Sequence, residues 1–519
     1  MFKLIDKFKS AINGVIHGFD RIVFQGFLMP IMYPEGAMSF LDQKNILYKD
    51  AKNWFQHHTD NILSSLESQV IDQCGHSIEY LASSNIRKEA VAHQRQEERG
   101  IRSGLIGAWS CVEAGNSFRI APSEGRPVLR WVQTRCKHIY LYLDHEDYGF
   151  MNIRIQSWFP YKIQIALNGR EWLSRQLQKS NVDFVRHRNK FLHIDDYDKA
   201  QSLLHAQLDT DWCSMLNGFL PLAFPTMVET VGPEMTYTWT CWQSEWASDM
   251  IFNDTSGLSA IMESCVKHTL TSGHAGRIYR FFGRPVNKLD QPHHAFSGNI
   301  QTRTMDTSEG IRVRHWIDHN SVKLYNEQNV IRIETTINQP SAFKVNRKKQ
   351  GAPESAPKER LALRKGVADV KLRAHVSQEV NDRFSEHLAA THETIPMKDV
   401  LAPVLGRKTI KRRKIRPIDP IGKDREFLAA IADQRFVVNG FSNKDLREVL
   451  TTSPRFSQKT EKQISGAITR LIRLMRDHSL IRKLPRQNRY RLTTQGQKIT
   501  TLVMAALAAS TKDLLDHAA

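Results

Sequence analysis

Apolar residues recur every three or four positions through most of residues 1–100, the spacing of amphipathic helices. This pattern predicts helices at 38–56, 60–73 and 84–99. The stretch DRIVFQGFL at 20–28 departs from that spacing and is predicted as a strand. The pattern therefore predicts a mostly helical N-terminal region over 1–100.

The period changes to two after residue 100. The stretch 138–169, HIYLYLDHEDYGFMNIRIQSWFPYKIQIALNG, alternates repeatedly and predicts three strands of an antiparallel meander. Further on, a strand at MTYTWT precedes predicted helices near 243–252 and 257–270, and strands then continue to Ile337. We therefore expect an α+β antiparallel-sheet region over 101–340, whose two halves could share one sheet.

The next segments carry charge rather than a regular apolar pattern. Residues 341–362 are predicted as a linker, and residues 363–422 as a helix followed by a basic arm. The arm, RKTIKRRKIRP at 407–417, places seven basic residues in the ten before Pro417. It is either a solvated tail or an arm that contacts phosphates. The candidate contacts are Lys411, Arg412, Arg413 and Lys414.

Residues 423–519 predict three helices and then a basic hairpin. The third helix, QISGAITRLIRLMRDHSL, places Ile464, Ile468 and Leu471 on one face, with Arg470 and Arg473 pointing away from it. The order of elements, and the stretch LIRKLPRQNRYRLTTQG in particular, resembles winged helix-turn-helix proteins of the multiple-antibiotic-resistance-regulator type. That resemblance implies that these two arginines enter the major groove. It also implies phosphate or minor-groove contacts by two wing arginines, Arg486 and Arg489. The alternative is a winged helix that contacts protein.

The charge balance favours an anionic partner. Lys and Arg number 73 against 54 for Asp and Glu, giving a net charge of +19. A surplus of this size attracts polyanions, so DNA is the expected partner, with RNA as a second choice and an anionic membrane surface as a weaker one. The N-terminus lacks a signal-peptide pattern, no apolar run is long enough to span a membrane, and the six cysteines form no CxxC pair. The expectation is a cytoplasmic protein that does not enter a membrane.

One short hairpin carries candidate chemistry. In NSVKLYNEQNVIRIETTI, residues 320–337, Lys323 alternates with Tyr325 on one strand and Arg332 alternates with Glu334 on the next. A strand holds such groups rigidly, with every second residue on one face. The hairpin is therefore either a catalytic site or an ordinary set of cross-strand ion pairs.

Two further carboxylates could complete a metal site. Glu245 and Asp249 lie four apart in a segment predicted as helical, which places them on one face. Together with Glu334 they could bind Mg²⁺ or Mn²⁺. The alternative is a pair of solvated acids. Asp20, in the first predicted strand, is another candidate ligand, but the sequence identifies no partners for it.

The hairpin also resembles rolling-circle replication initiator proteins, in which a Lys/Arg-x-Tyr strand precedes an Arg-x-Glu strand. The chain departs from that pattern, since Asn326-Glu327 follows the tyrosine and a His-hydrophobic-His motif is missing. Because Tyr325 is the tyrosine nearest the candidate acids, it is the candidate nucleophile, and Lys323 and Arg332 are the other candidate catalytic residues. We therefore predict a protein that binds double-stranded DNA and nicks or joins it. The alternatives are a non-enzymatic transcriptional regulator and an RNA-binding protein, and the sequence leaves the oligomeric state open.

Overall fold

The computed structural model of the chain describes every residue except 1, 124–125, 234, 257, 288–290, 309, 354, 390–396, 411–412, 434, 437–439, 452, 486 and 509–519. The chain divides into two compact units, Met1–His392 and Glu393–Ala519.

Strands build the centre of the first unit. They are β1 (Ile12–Leu28), β2 (Glu79–Tyr80), β3 (Gly104–Ser123), β4 (Arg126–His145), β5 (Gly149–Gln156), β6 (Ile163–Asn168), β7 (Phe184–His187), β8 (Lys190–Ile194), β9 (Tyr237–Phe252), β10 (Ile300–Thr307), β11 (Gly310–Ile317), β12 (Asn320–Glu327), β13 (Val330–Ile337), β14 (Lys344–Arg347) and β15 (Glu359–Ala362). Eleven of them form one sheet in the order β10-β11-β12-β13-β9-β1-β6-β5-β4-β3-β2. All neighbours in this sheet are antiparallel except the short β2–β3 pair.

Helices flank this sheet. They are α1 (Phe2–Lys7), α2 (Pro34–Gln43), α3 (Ala51–Cys74), α4 (Lys88–Arg99), α5 (Gly169–Lys179), α6 (Tyr197–Gln207), α7 (Trp212–Asn217), α8 (Leu220–Ala223), α9 (Met227–Val231), α10 (Leu258–Ser272), α11 (Ala275–Phe281) and α12 (Val370–Ala389). Short 3-10 turns lie at Met29–Ile31, Pro340–Ala342 and Val367–Asp369. The predicted α+β class with an antiparallel sheet and flanking helices is confirmed.

The two faces of the sheet differ in how they are covered. One face packs against α2 and α3 at one end and against α10, α11 and α12 at the other, and these contacts form two large apolar clusters. On the opposite face, α5, α6 and the β7–β8 hairpin cover a smaller apolar cluster that includes Ile16 and Ile251. Helix α4 packs over Trp109 and Tyr142 farther along the same face. Polar side chains lie between these two packed regions. We call this side of the sheet the polar face.

Strand β1 shows how the N-terminal region joins the sheet. The predicted strand at 20–28 is confirmed, but the strand begins at Ile12 and pairs with both β6 and β9. Residues 1–100 therefore supply a central strand as well as helices. Residues 341–362, predicted as a linker, contain the paired strands β14 and β15.

The predicted helix at 243–252 is wrong. These residues belong to β9, which pairs with β1 on one side and β13 on the other. Most of its side chains are buried, including Trp246 against Phe19, whereas Trp242 is exposed beneath Lys365. Trp, Thr and Ser fit a strand packed on both sides, and tertiary contact decides the outcome where the local pattern is ambiguous.

The second unit has its own core. Its elements are α13 (Met397–Leu405), β16 (Lys408–Ile410), β17 (Arg413–Ile415), α14 (Arg425–Ile431), α15 (Asn443–Leu450), α16 (Glu461–Asp477), β18 (Ile481–Lys483), β19 (Tyr490–Leu492) and α17 (Thr494–Ala508). Capping boxes at Ser442 and Thr460 fix the starts of α15 and α16, as local hydrogen bonds to free helix N–H groups do. The predicted three helices and hairpin correspond to α14, α15, α16 and the β18–β19 pair. The basic stretch 407–417 contributes the β16–β17 hairpin.

Two further features of the described residues are the length and polarity of the helices and the burial of the cysteines. Within the described part of the chain, each helix is too short or too polar to cross a bilayer. Of the six cysteines, Cys213 is exposed, Cys74 is half-buried and the other four are buried.

Helix α12 offers a test of how the sheet is held. Arg373 is fully buried, and its guanidinium donates to Ser244 Oγ, Cys241 O and Ile337 O at 2.8, 2.7 and 2.5 Å. An Arg373→Met substitution leaves these acceptors without a donor and should lower the free energy of unfolding by about 2–4 kcal/mol in urea denaturation. The matched control is Lys371→Met, two residues away on the same helix at an exposed ion pair, which should cost less than about 1 kcal/mol. Equal losses in the two variants would contradict this role.

Candidate metal centre

Three neighbouring strands present charged side chains on the polar face. Across the β13–β9 pair, Arg332 lies opposite Asp249, Glu334 opposite Ala247 and Thr336 opposite Glu245. Directly paired residues share a face of an antiparallel sheet, and so do residues two apart on one strand. Glu245, Asp249, Arg332 and Glu334 therefore point to the same side.

A strand irregularity brings Asp20 to this group. The register between β1 and β9 shifts between Phe19 and Arg21, which leaves Asp20 as an extra residue on β1. Such a bulge changes the direction of a side chain locally. Asp20 Oδ1 accepts hydrogen bonds from Arg332 Nη1 at 2.5 Å and from Asn189 Nδ2 at 2.6 Å.

The carboxylates of Asp20, Glu245 and Glu334 converge. Each offers one oxygen, and these three oxygens lie within 4.8 Å of one another. Gln243 Nε2 holds Glu245 by a hydrogen bond to Oε1 at 3.1 Å. Glu245 is half-buried, so the group is open to solvent on that side, while Glu334 is 1 % exposed. Carboxylate oxygens grouped in this way suit a hard divalent cation such as Mg²⁺ or Mn²⁺.

Asp249 lies in an ion-pair network and not in this carboxylate group. Its two oxygens accept from Arg332 Nε and Nη2 at 2.5 and 2.7 Å, and Arg170 Nη2 lies 3.0 Å from Oδ2. The prediction that Asp249 joins Glu245 and Glu334 assumed a helix, in which residues four apart are about 6 Å apart. On a strand the same spacing is roughly 13 Å, too far for one cation to bridge. Asp20 takes the third position instead.

Lys323 and Tyr325 both contact Glu334. Lys323 lies opposite Glu334 in the β12–β13 register, and the two side chains form an ion pair. The Tyr325 hydroxyl donates to Glu334 Oε2 at 2.8 Å. These are the cross-strand contacts that the alternative reading of the hairpin predicts. They also fix the position of one carboxylate of the converging group.

The proton occupancy of the group is uneven. Burial raises the pKa of Glu245 to about 7, and the nearby Glu334 carboxylate adds to this effect. Burial acts in the same direction on Glu334, but Lys323 and Arg332 outweigh it and lower the pKa of Glu334 to about 2. Asp249 behaves similarly, since Arg332 and Arg170 overcome burial and lower its pKa to about 2. Near neutral pH, Glu245 is therefore the carboxyl that can hold a proton in place of a cation.

The three residues predicted to be catalytic are held tightly. Arg332 is fully buried and also donates to Asn189 O at 2.9 Å. Burial raises the pKa of Tyr325 well above its ordinary value, and Glu334 adds to the shift, so the phenol stays neutral. Lys323 is occupied by its ion pair with Glu334. This environment does not favour Tyr325 as a nucleophile, and a catalytic role for the three residues remains a prediction.

The basic residues of the second unit that were predicted to contact nucleic acid differ in their exposure and in their partners. Arg470 and Arg473 are exposed on α16, as the helix pattern predicts, and Lys414 is also exposed. Arg413 forms an ion pair with Asp477. Arg489 donates to Gly440 O at 2.8 Å and lies 2.9 Å from Asp445 Oδ2. The predicted contacts Lys411, Arg412 and Arg486 lie outside the described residues.

Several residues around the metal centre escaped the sequence prediction. Arg170 at the start of α5, with Asn189 and Lys190 at the β7–β8 turn, approaches the polar face from elements far along the chain. Asn168 caps α5 by accepting from the backbone N–H groups of Arg170 and Glu171, which fixes where Arg170 leaves the helix. Arg170 contacts Asp249 and the Ala247 carbonyl on β9, and these contacts depend on the tertiary fold, which no local sequence pattern indicates.

Comparisons with known proteins give little to set beside this geometry. No family model matches the chain, and no curated protein does. A solved structure that matches is the class II 3-hydroxy-3-methylglutaryl-CoA reductase from Streptococcus pneumoniae bound to NADPH. The match has 10 % identity and a TM-score of 0.24, and it covers 91 % of this chain and 80 % of that chain.

The comparison corrects the predicted function. The matching structure is a metabolic enzyme and not a nucleic-acid-binding protein. The predicted DNA-binding protein that nicks or joins DNA, and its alternatives of a transcriptional regulator and an RNA-binding protein, are therefore not supported by the comparisons. Because its TM-score is 0.24, it supplies no argument for reductase chemistry or for a nicotinamide site in this chain.

Removing Arg332 tests the ion-pair network. An Arg332→Met substitution leaves Asp249 and Asp20 with less compensation in a buried site, so we expect a loss of about 3–5 kcal/mol in the free energy of unfolding. The double variant Arg332→Met/Asp249→Asn removes one uncompensated charge and should recover part of that loss in the same urea titration. A single variant that loses less than about 1 kcal/mol would contradict the role assigned to Arg332.

The raised pKa of Glu245 predicts a pH-dependent stability. The folded protein keeps this proton up to about pH 7, whereas the unfolded chain releases it near the ordinary value of 4.5. The stabilisation is therefore fully present below about pH 4.5 and is lost as the pH rises through about 7. In EDTA, the melting temperature of Glu245→Gln relative to the wild type should rise between pH 5 and pH 8. Parallel melting curves across this range would show that Glu245 titrates normally.

Proposed function

We propose that Asp20, Glu245 and Glu334 bind a divalent cation, Mg²⁺ or Mn²⁺, and that this centre acts on a phosphate ester or a similar anionic substrate. The observation that carries the proposal is the convergence of three carboxylate oxygens within 4.8 Å on three adjacent strands. Rigid neighbouring strands keep ligand atoms in place better than loops do.

The charge balance of the centre supports a cation. Among the described residues, three cationic side chains, Arg170, Arg332 and Lys323, form ion pairs with Asp20, Asp249 and Glu334, and Glu245 forms none. Counted over these ion pairs, the four carboxylates carry one more negative charge than the three cations balance when Glu245 is ionised. A divalent ion reverses that sign, and the centre then attracts an anion.

At such a centre, some side chains hold the carboxylates in position and another can bind the substrate. Lys323 and Tyr325 hold Glu334 in position, and Gln243 holds Glu245. Arg314 donates through Nε to Ser321 Oγ at 2.9 Å and lies within electrostatic range of Glu245 and Glu334. It is a nearby cation that can bind an anionic oxygen of the substrate. A bound metal would supply the polarisation of a phosphoryl oxygen.

Metal binding is measured directly with Mn²⁺. Titration followed by electron paramagnetic resonance should show saturable binding by the wild type. Glu334→Gln and Glu245→Gln should each weaken Mn²⁺ binding by at least about tenfold. Replacing a residue that only holds a metal ligand in position already lowers metal affinity by about that much, and replacing the ligand itself should lower it at least as far. Glu379→Gln, at an exposed ion pair on α12, is the matched control and should bind normally.

The same proteins test the chemistry. The wild type should hydrolyse p-nitrophenyl phosphate with Mn²⁺ and lose this activity in EDTA. Glu334→Gln should be inactive in both conditions. Circular dichroism checks that each variant is folded. A wild type without saturable Mn²⁺ binding, or a control variant that loses binding as strongly as Glu334→Gln, overturns the proposal.

We further propose that the second unit has the winged-helix arrangement that its sequence resembles. In support, α14, α15 and α16 precede the β18–β19 hairpin, and Phe441 bridges to Tyr490 on β19. Buried Leu446, Ile468 and Ile481 from successive elements share one core. The contacts of Arg489 with Gly440 and Asp445 brace the hairpin against the segment before α15.

A further inference from the structure

A cleft on the polar face lies beside the metal centre. It has a volume of about 450 Å³ and is enclosed by α4 with the turn before it and by strands β1, β4, β5 and β6. Its charged lining residues are Arg21, Arg87, Lys88, Glu89 and Arg154. Four cations therefore face one carboxylate, and we call this space the anion cleft.

Arg21 connects the anion cleft to the carboxylate group. It follows Asp20 directly at the bulge in β1 and pairs in register with Glu245. It also pairs with Asn168 on β6, the strand that supplies Gln164 and Ala166 to the cleft. Two consecutive residues of one strand thus serve two adjoining sites, one through a carboxylate and one through a guanidinium.

Internal contacts occupy two of the four cations. Glu113 lies 3.0 Å from Lys88 Nζ and 2.7 Å from Arg154 Nη2, and it accepts from the Tyr140 hydroxyl at 2.7 Å. This network fixes one wall of the cleft. In the described part of the chain, Arg21 and Arg87 form no ion pair, and both are exposed. They are the cations available to a ligand.

The start of α4 adds favourable groups. Arg87 is the N-cap residue of this twelve-residue helix, and its side chain makes no capping hydrogen bond. The first backbone N–H groups of a helix lack intrahelical acceptors and favour an anion. Asn152 and Gln164 line the floor and can supply amide donors.

We infer that the anion cleft binds a second phosphate group of the substrate whose reacting phosphate ester sits at the metal centre. This inference rests on the proposed function for the placement of the reacting group. A dianion matches the excess of cations in the lining better than a carboxylate does, because two guanidinium groups are unpaired. The substrate is then a molecule with two phosphates, or with a phosphate and an equally charged group, spaced to reach from Glu245 to Arg87.

The test titrates inorganic phosphate into the full-length protein in EDTA, followed by ³¹P nuclear magnetic resonance. The wild type should show saturable binding. Arg21→Gln and Arg87→Gln should each weaken it by about tenfold or more, as expected for loss of a charge-assisted hydrogen bond. The matched control is Arg425→Gln, an exposed arginine of the second unit that is not part of the cleft. It should leave phosphate affinity unchanged.

Mn²⁺ binding separates this inference from the proposed function. Arg21→Gln should bind Mn²⁺ no more weakly than the wild type does, since it keeps all three carboxylates and removes a positive charge beside Glu245. Saturable Mn²⁺ binding without phosphate binding overturns the anion cleft alone. Phosphate binding that depends on Arg21 in a protein that does not bind Mn²⁺ overturns the metal centre and leaves the cleft standing. Equal weakening in the Arg425→Gln control overturns the assignment of the site to this cleft.

Discussion

The position of the Arg332 guanidinium between Asp20 and Asp249 is the constraint on which the polar face depends. The arginine is fully buried on β13, and its donors reach Asp249 on β9, Asp20 on β1 and the carbonyl of Asn189. A buried charge is tolerated when it is paired and its hydrogen bonds are satisfied. One side chain therefore ties three strands together and allows several carboxylates to lie side by side beneath a covered surface.

The same interaction divides the carboxylates by role. Asp249 forms ion pairs with two arginines, so its charge is neutralised within the protein. Asp20 contacts Arg332 through Oδ1 and also lies in the converging group with Glu245 and Glu334. Among the described residues, no cation lies as close to Glu245 as Arg332 and Arg170 lie to Asp249, and burial beside Glu334 raises the pKa of Glu245 to about 7. Glu245, at the solvent side of the group, thus carries a negative charge that either a proton or a cation can balance.

The sequence predicted the parts of this site that depend on local pattern and missed the parts that depend on tertiary contacts. The alternation at 320–337 correctly placed Lys323 and Glu334 on one face, because strand period and turn position fix such a pair. Glu245 and Asp249 share a face on a strand as well as on a helix, so their spacing could not reveal which element they occupy. Asp20 became a partner only through a bulge and through contacts with residues more than 200 positions away, which no local pattern encodes.

The net charge of +19 is a less specific signal than the arrangement of the individual charges. A total says how many cations exceed anions and not where the unpaired ones lie. In the second unit, Arg413 and Arg489 are engaged by Asp477 and Asp445. On the polar face, exposed Arg21 stands beside a group of carboxylates that carries excess negative charge, and this juxtaposition is more specific than any sum. In our proposal this arrangement provides a place for a cation beside a place for an anion, and a divalent ion together with a phosphate would use both.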